Sequence, residues 1–127
     1  MIVLDASAAV LGLLNDGDAR RLMAGDTMAA PHLADSEVAH TLRSGVLRGQ
    51  VSARQARTAL DRWSRLGLRR FAVVGLLGRI WELRDNVTAY DATYVALAEA
   101  LDCPLVTADA RLARASGPLC PITVLRR

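Results

Sequence analysis

The chain has 127 residues, of which 52% are apolar and 23% charged, and a formal net charge of +3. That length suits one domain over residues 1–127, able to bury roughly 65% of its unfolded surface, so disorder is excluded and no disulfide or metal staple is required. No apolar run approaches the roughly 20 residues of a membrane span, and Met1-Ile2-Val3-Leu4 follows no basic stretch, so neither a membrane anchor nor a secretory leader is expected and the chain reads as cytoplasmic.

The apolar run Ile2-Val3-Leu4 predicts a buried strand, followed by a helix from about Ala6 to Leu14 and a turn at Asn15-Asp16-Gly17-Asp18. A short helical piece, Ala19 to Met23, ends at Gly25, and Met28-Ala29-Ala30 predicts a second strand closed by Pro31. From Asp35 to Arg48, Val38, Leu42 and Val46 recur every four residues, the pattern of an amphipathic helix stopped by Gly49. Ser52 caps the next helix, whose stripe is Ala56, Leu60 and Trp63, and Phe71-Ala72-Val73-Val74 predicts a third strand.

Leu76 to Val87 reads as helical through Leu77, Ile80, Trp81, Leu83 and Arg84, and Thr88 opens another helix that runs through Leu101. Pro104 to Thr107 predicts a fourth strand, Arg111 to Ala115 a short helix, and Ile122 to Leu125 a last strand. Short apolar strands alternating with helices point to an α/β fold with a parallel sheet covered on both faces.

Cys103 and Cys120 read as apolar packing residues rather than a disulfide, and without a CxxC or His-x3-His spacing no zinc site is expected. His32 and His40 stand alone in the sequence and receive no role. All 16 basic residues are arginine, which excludes lysine chemistry. Between Arg43 and Arg70, eight arginines face the single acid Asp61, a local net of +7. That run is either a footprint for a polyanion, with Arg54 and Arg57 as RNA contacts, or the solvated face of a helix pair. Trp63 and Trp81 lie on apolar stripes and are expected in the core or a dimer interface, and Tyr90 and Tyr94 chiefly in the core.

In an open parallel sheet, ligands bind beyond the carboxyl ends of the strands. Asp5 follows the first predicted strand directly, and Asp109 follows the fourth by one residue. Asp91 and Glu37 fall near the starts of two crossover helices, the ends that face the strand termini. Each acid has a plainer use: Asp5 and Asp109 as helix caps, Asp91 in a capping box with Thr88, Glu37 at a wet helix edge. Should the four converge, their repulsion requires a cation, since two carboxylates about 4 Å apart repel by roughly 4 kcal/mol at an effective dielectric of 20. Oxygen-only ligation selects Mg²⁺ or Mn²⁺, ions that activate water and serve phosphate chemistry, and the arginine excess suits an anionic substrate.

Asp5 in MIVLDAS, Glu37 in PHLADSEVAHTLR, Asp91 in TAYDATYVALAEAL and Asp109 in LVTADARL together resemble the four acidic motifs of PIN-domain ribonucleases, specifically the VapC toxins of VapBC toxin–antitoxin pairs. The resemblance runs from residue 1 to the last predicted strand. It implies a PIN-like three-layer fold with a central five-stranded parallel sheet flanked by helices, and Mg²⁺ or Mn²⁺ held by Asp5, Glu37, Asp91 and Asp109. Asp5 and Asp91 would be the firmest ligands, with Thr107 and Ser7 shaping the site through their hydroxyls. It further implies an endoribonuclease cutting RNA by metal-activated water, often a transfer or ribosomal RNA, a VapB-type antitoxin whose tail enters the active groove, and a homodimer. A receiver-like phosphoacceptor domain is the rival of similar length, yet lacks here its lysine and its second acid near the first strand. A haloacid-dehalogenase phosphatase lacks its second aspartate, and an idle binding module on the same fold is the third alternative.

Overall fold

In the computed structural model, which describes residues 1–126, the short apolar runs become strands of one parallel sheet: β1 (Ile2–Leu4), β2 (Met28–Pro31), β3 (Leu68–Phe71), β4 (Leu105–Thr107) and β5 (Ile122–Val124), in the order β3-β2-β1-β4-β5. Parallel neighbours cannot be joined by tight hairpins, and the crossovers are helical. They are α1 (Ala6–Leu14), α2 (Asp18–Gly25), α3 (Leu33–Leu47), α4 (Ala53–Arg65), α5 (Leu77–Glu82), α6 (Ala89–Leu101) and α7 (Ala110–Arg114). The inner strands β1, β2 and β4 are buried at every position, whereas the edge strands β3 and β5 are partly exposed. The α/β architecture with a five-stranded parallel sheet is the one expected.

The order of the strands locates the site. The chain builds outward from β1 through β2 to β3, then returns across the sheet to place β4 on the other side of β1. Connections on the two sides of β1 diverge at that reversal, and the crevice left between them lies at the ends of β1 and β4. A receiver-type sheet has the order 2-1-3-4-5, so the receiver-like alternative is overturned by topology.

Two elements depart from their sequence pattern. The third strand is Leu68–Phe71 rather than Phe71–Val74, because its register is set by the ladder to β2, from Met28 opposite Leu68 to Pro31 opposite Phe71. At a sheet edge Arg69 stays exposed and Arg70 turns its guanidinium to Asp35 while their backbone pairs, so an apolar run is not needed there. Val74–Leu76 instead forms a 3₁₀ turn. The helix expected to reach Val87 stops at Glu82, where the Leu83 N–H is shared between the carbonyls of Arg79 and Ile80 and the chain tightens before Thr88 caps α6.

α6 is the central helix: Ala92 through Ala98 are all buried, the mark of a helix apolar around its whole circumference. Gly12 lets α1 and α2 meet, since a side chain there would collide with Met23 and with the backbone at Ala19 and Arg20. Ser52 caps α4 as expected, in a reciprocal box in which its Oγ accepts from the Gln55 N–H (3.0 Å) and the Gln55 side chain accepts from the Ser52 N–H (2.9 Å). Ala56, Ala59 and Trp63 form the buried stripe of α4, with Leu60 only partly covered. Cys103 and Cys120 are free thiols, the first buried. Among the described residues no helix is long and apolar enough to cross a membrane.

The two tryptophans part company. Trp63 is 3% exposed, and its indole N–H donates to Asp35 Oδ1 (2.7 Å), whose carboxylate also receives Arg70 through Nε and Nη2 (both 2.9 Å). Trp81 is 68% exposed, so the core placement expected for it fails. The Arg70 guanidinium holds the Asp35 carboxyl below the usual range, so the stability this pair contributes is present above the unfolded-state value and lost as pH falls through the folded one. Asp35→Ala should therefore lower the unfolding free energy near neutral pH by about 1–3 kcal/mol, through the unpaired indole N–H, and by less in acid. Chemical denaturation at both pH values checks this; an unchanged midpoint near neutrality would contradict it.

Candidate active site

Asp5 leaves the carboxyl end of a strand with no exposed residue, and is itself only 7% exposed. Its Oδ1 accepts the Ala8 N–H (2.9 Å), capping α1, and the Ser7 hydroxyl (2.6 Å). The Ser7 hydroxyl has one proton, spent on Asp5, so its oxygen is an acceptor toward β4: from the Ala108 N–H at 2.9 Å and from the Thr107 hydroxyl at 3.3 Å. Thr107 Oγ1 in turn accepts the Asp109 N–H (3.0 Å). A continuous hydrogen-bonded chain thus ties the end of β1 to the end of β4 across the crevice that topology creates.

Asp109 caps α7 through the Arg111 N–H (2.9 Å) and is clasped by the same residue's guanidinium, Nε at 3.3 Å and Nη2 at 3.2 Å. For Asp5 and Asp109 the cap and the site are therefore not rivals: each caps a helix with one carboxylate oxygen while standing at a strand end. Asp91 differs. The cap of α6 is the Thr88 hydroxyl, which accepts the Asp91 N–H (3.1 Å), so the carboxylate of Asp91 is not what stabilises the helix start. Glu37, in the second turn of α3, accepts the Tyr94 hydroxyl at 2.6 Å.

Electrostatics tie the four acids together. Burial pushes the Asp5 carboxyl up, opposed by the hydrogen bonds from Ser7 and Ala8 and reinforced by the charge of Asp91. Burial also pushes Glu37 up, against the Tyr94 hydrogen bond and together with the charges of Asp91 and Asp5. Asp91 is raised by burial and by Asp109, whereas Asp109 is lowered by the Arg111 guanidinium. Among the described residues no cationic side chain pairs with Asp5, Glu37 or Asp91. These three partly desolvated carboxylates have no ion-pair partner at contact distance among the described residues, while the charge of Arg111 offsets part of the shift at Asp91.

The donor set fits a hard divalent cation: four carboxylates and neighbouring hydroxyls, with no thiolate or imidazole among them. As the side chains stand, no group of three His, Cys, Asp or Glu among the described residues is close enough to share one ion. Asp91 and Asp109 line an open cleft of about 470 Å³ together with Arg84, Thr88 and Arg111. Closing the acids on a cation would relieve the repulsion that raises them and would compete with Arg111 for Asp109.

Two residues of the site escape the sequence reading. Tyr94 was expected in the core and is there, 2% exposed, but its hydroxyl also holds Glu37; the available signal was its place one turn beyond Asp91 on the same helix. Arg111, two residues beyond Asp109, had no separate signal. Tyr90 was also expected in the core and is instead 62% exposed, because the first turn of α6 stands clear of the sheet. Arg54 and Arg57 are exposed on α4, Arg57 paired with Asp61 (3.2 Å), and neither lines the cleft at Asp91 and Asp109.

A raised carboxyl contributes stability that is present below its unfolded-state value and lost as pH rises through the folded one, so the ionised acids weaken the cation-free fold near neutral pH. Asp91→Asn should leave the cation-free protein as stable as the parent or more so near neutrality, the difference shrinking as acid protonates the parent. Thermal unfolding across pH checks this. A loss above about 1 kcal/mol near neutrality would make Asp91 a helix-stabilising residue instead.

Comparison with known proteins identifies the family. The PIN domain family matches residues 2–118. Ribonuclease VapC9 of Mycobacterium tuberculosis and VapC ribonuclease Mb0985 of Mycobacterium bovis are each 56% identical to the chain over 127 residues, 100% of both sequences. VapBC2 from Rickettsia felis, solved bound to a DNA fragment from its promoter, superposes with a TM-score of 0.69 at 19% identity, covering 98% of this chain and 99% of that one. With the family match spanning most of the sequence, this chain belongs to the PIN-domain family, within its VapC group.

Proposed function

We propose that this chain is a divalent-metal-dependent endoribonuclease, the toxin of a type II toxin–antitoxin pair, and that Asp5, Glu37, Asp91 and Asp109 hold Mg²⁺ or Mn²⁺. The observation that carries the reading is a set of carboxylates linked through Asp91 to Asp5, Glu37 and Asp109, with Asp5, Glu37 and Asp91 raised chiefly by burial and, among the described residues, none of those three in a salt bridge. The full-length likeness to proteins named as VapC ribonucleases supports RNA as the substrate.

Each residue has a distinct part. Asp5 is anchored by Ser7 and Ala8, so its carboxylate is presented in one orientation. Thr107 braces Ser7 from β4 and positions Asp109 through its backbone N–H. The Tyr94 hydroxyl fixes Glu37, and burial raises its phenol, so it stays a neutral donor to the carboxylate. A bound divalent ion supplies charge neutralisation and activated water for phosphodiester hydrolysis. The eight arginines between Arg43 and Arg70, Arg54 and Arg57 among them, attract the polyanion from a distance. The likeness to VapC and VapBC proteins supports a VapB-type antitoxin as partner; we further propose a transfer or ribosomal RNA as substrate, a homodimer as the working form, and the cytoplasm as the place of action.

Incubating the purified protein with total cellular RNA, with and without Mg²⁺, should give discrete new ends only when the ion is present. Asp5→Asn and Asp91→Asn should each lower that cleavage by about a hundredfold or more, while both variants stay folded. Cleavage that survives chelation, or either substitution, would contradict the assignment. Replacing Arg54 and Arg57 with Gln should weaken RNA binding with or without the ion and lower the salt slope by about 2, one per phosphate contact. An unchanged slope would leave that surface as solvation alone.

A further inference from the structure

The arginines that attract RNA from a distance are spread along α3, α4 and β3, but the cleft beside Asp91 and Asp109 has cationic walls of its own. Arg84, from the turn after α5, and Arg111, from α7, both line it. Most partly buried arginines elsewhere are consumed by structure: Arg20 by the carbonyls of Gly12 and Leu13, Arg70 by Asp35, Arg79 by Glu99 and Glu82. The two at the cleft keep donors to spare. Arg111 uses Nε and Nη2 on Asp109, and among the described residues its Nη1 has no acceptor. Arg84 uses only Nη1, on the carbonyl of Trp81 in its own turn (2.9 Å).

Trp81 supplies more than that carbonyl. Its ring, 68% exposed, lies 4.8 Å from the Arg84 guanidinium, a cation–π contact that leaves Arg84 little freedom to lose on binding an anion. The exposed indole adds little to the core of the single chain, and its contact with Arg84 holds that guanidinium at the rim of the cleft.

The charge of the cleft makes its affinity for an anion conditional. Arg84 and Arg111 face Asp85, Asp91 and Asp109, a net of −1, which repels a phosphate. One divalent cation turns that net to +1 and, by drawing on Asp109, frees the Arg111 donors that now clasp it. The stretch from Arg43 to Arg70, with its net of +7, carries one acid, Asp61, and no such switch.

Resting on the ribonuclease reading, we propose that Arg84 and Arg111 grip successive phosphates of the RNA strand at the cleft, that Trp81 positions Arg84, and that this grip forms only when a divalent cation occupies the acids. The probe is a fluorescein-labelled, mixed-sequence single-stranded oligoribonucleotide, read by anisotropy with the full chain in chelator and in Ca²⁺, an ion taken up by carboxylates that leaves the RNA uncut over the measurement. Ca²⁺ should tighten binding by the parent about tenfold. The Arg84→Gln, Arg111→Gln double variant should bind as the parent does in chelator, lose the tightening by Ca²⁺, and show a salt slope lower by about 2 in Ca²⁺ only. Calorimetry should find its Mn²⁺ affinity equal to or above that of the parent, because the competitor for Asp109 is gone. Trp81→Ala should cost about threefold in Ca²⁺, and Trp81→Phe should restore it.

A double variant that keeps the full tightening and slope would overturn the proposal, as would one whose loss follows from weaker Mn²⁺ binding. A polyglutamate peptide bound with the same cation and arginine dependence, and as tightly as the RNA, would assign the grip to an acidic protein segment instead. Because the readout is affinity, it judges this surface whether or not total RNA is cut. Failure of the digest counts against the ribonuclease reading, and failure here counts against Arg84 and Arg111.

Discussion

Asp5 sits where a carboxylate is expensive, at the end of a strand with no exposed residue and with a further acid, Asp91, close enough to raise it. Two hydrogen-bond donors offset part of the cost, the Ser7 hydroxyl and the Ala8 N–H, but no cationic side chain among the described residues does. The arrangement is stable enough to persist because the rest of the fold over-determines it. β1 is locked between β2 and β4, α6 packs a continuous apolar surface from Ala92 to Ala98, and the Ser7–Thr107 bridge ties the two strand ends together. A site that leaves like charges partly uncompensated has a large differential affinity for a divalent cation, since binding removes the repulsion as well as adding attraction.

The same strand-end geometry reconciles structural and chemical uses of each acid. A parallel strand feeding a helix brings the new helix's first N–H groups to the crevice, and an aspartate there can cap the helix through one oxygen and face the crevice with the other. Asp5 and Asp109 do the first, and their position offers the second. Asp91, in the first turn of α6, and Glu37, in the second turn of α3, do not cap their helices, so substitution at Asp91 separates the chemical role from that of the Thr88 cap.

Much of this was legible in the sequence. The inner strands β1, β2 and β4 are continuous apolar runs, as buried parallel strands must be, and the acids at their ends stand out against them. The edge strand β3 was not legible, since Leu-Arg-Arg-Phe carries no apolar run and its pairing is dictated by β2. Helical periodicity marked Trp63 and Trp81 alike, but a stripe records only which side of a helix is apolar, not whether anything packs on it. Tyr94 read as core because burial is what its neighbours predict; that its hydroxyl meets Glu37, 57 residues away, is a tertiary contact no local pattern encodes.

The central claim is that the four acids, drawn from β1, α3, α6 and the β4 exit, close on a shared divalent ion. Anomalous diffraction at the manganese edge from crystals soaked in Mn²⁺ tests it most directly. A manganese peak between the carboxylates of Asp5 and Asp91, with Glu37 or Asp109 within reach and Arg111 released from Asp109, is the predicted result. Crystals in which the four carboxylates keep their separate partners, with no peak in the crevice, would contradict it.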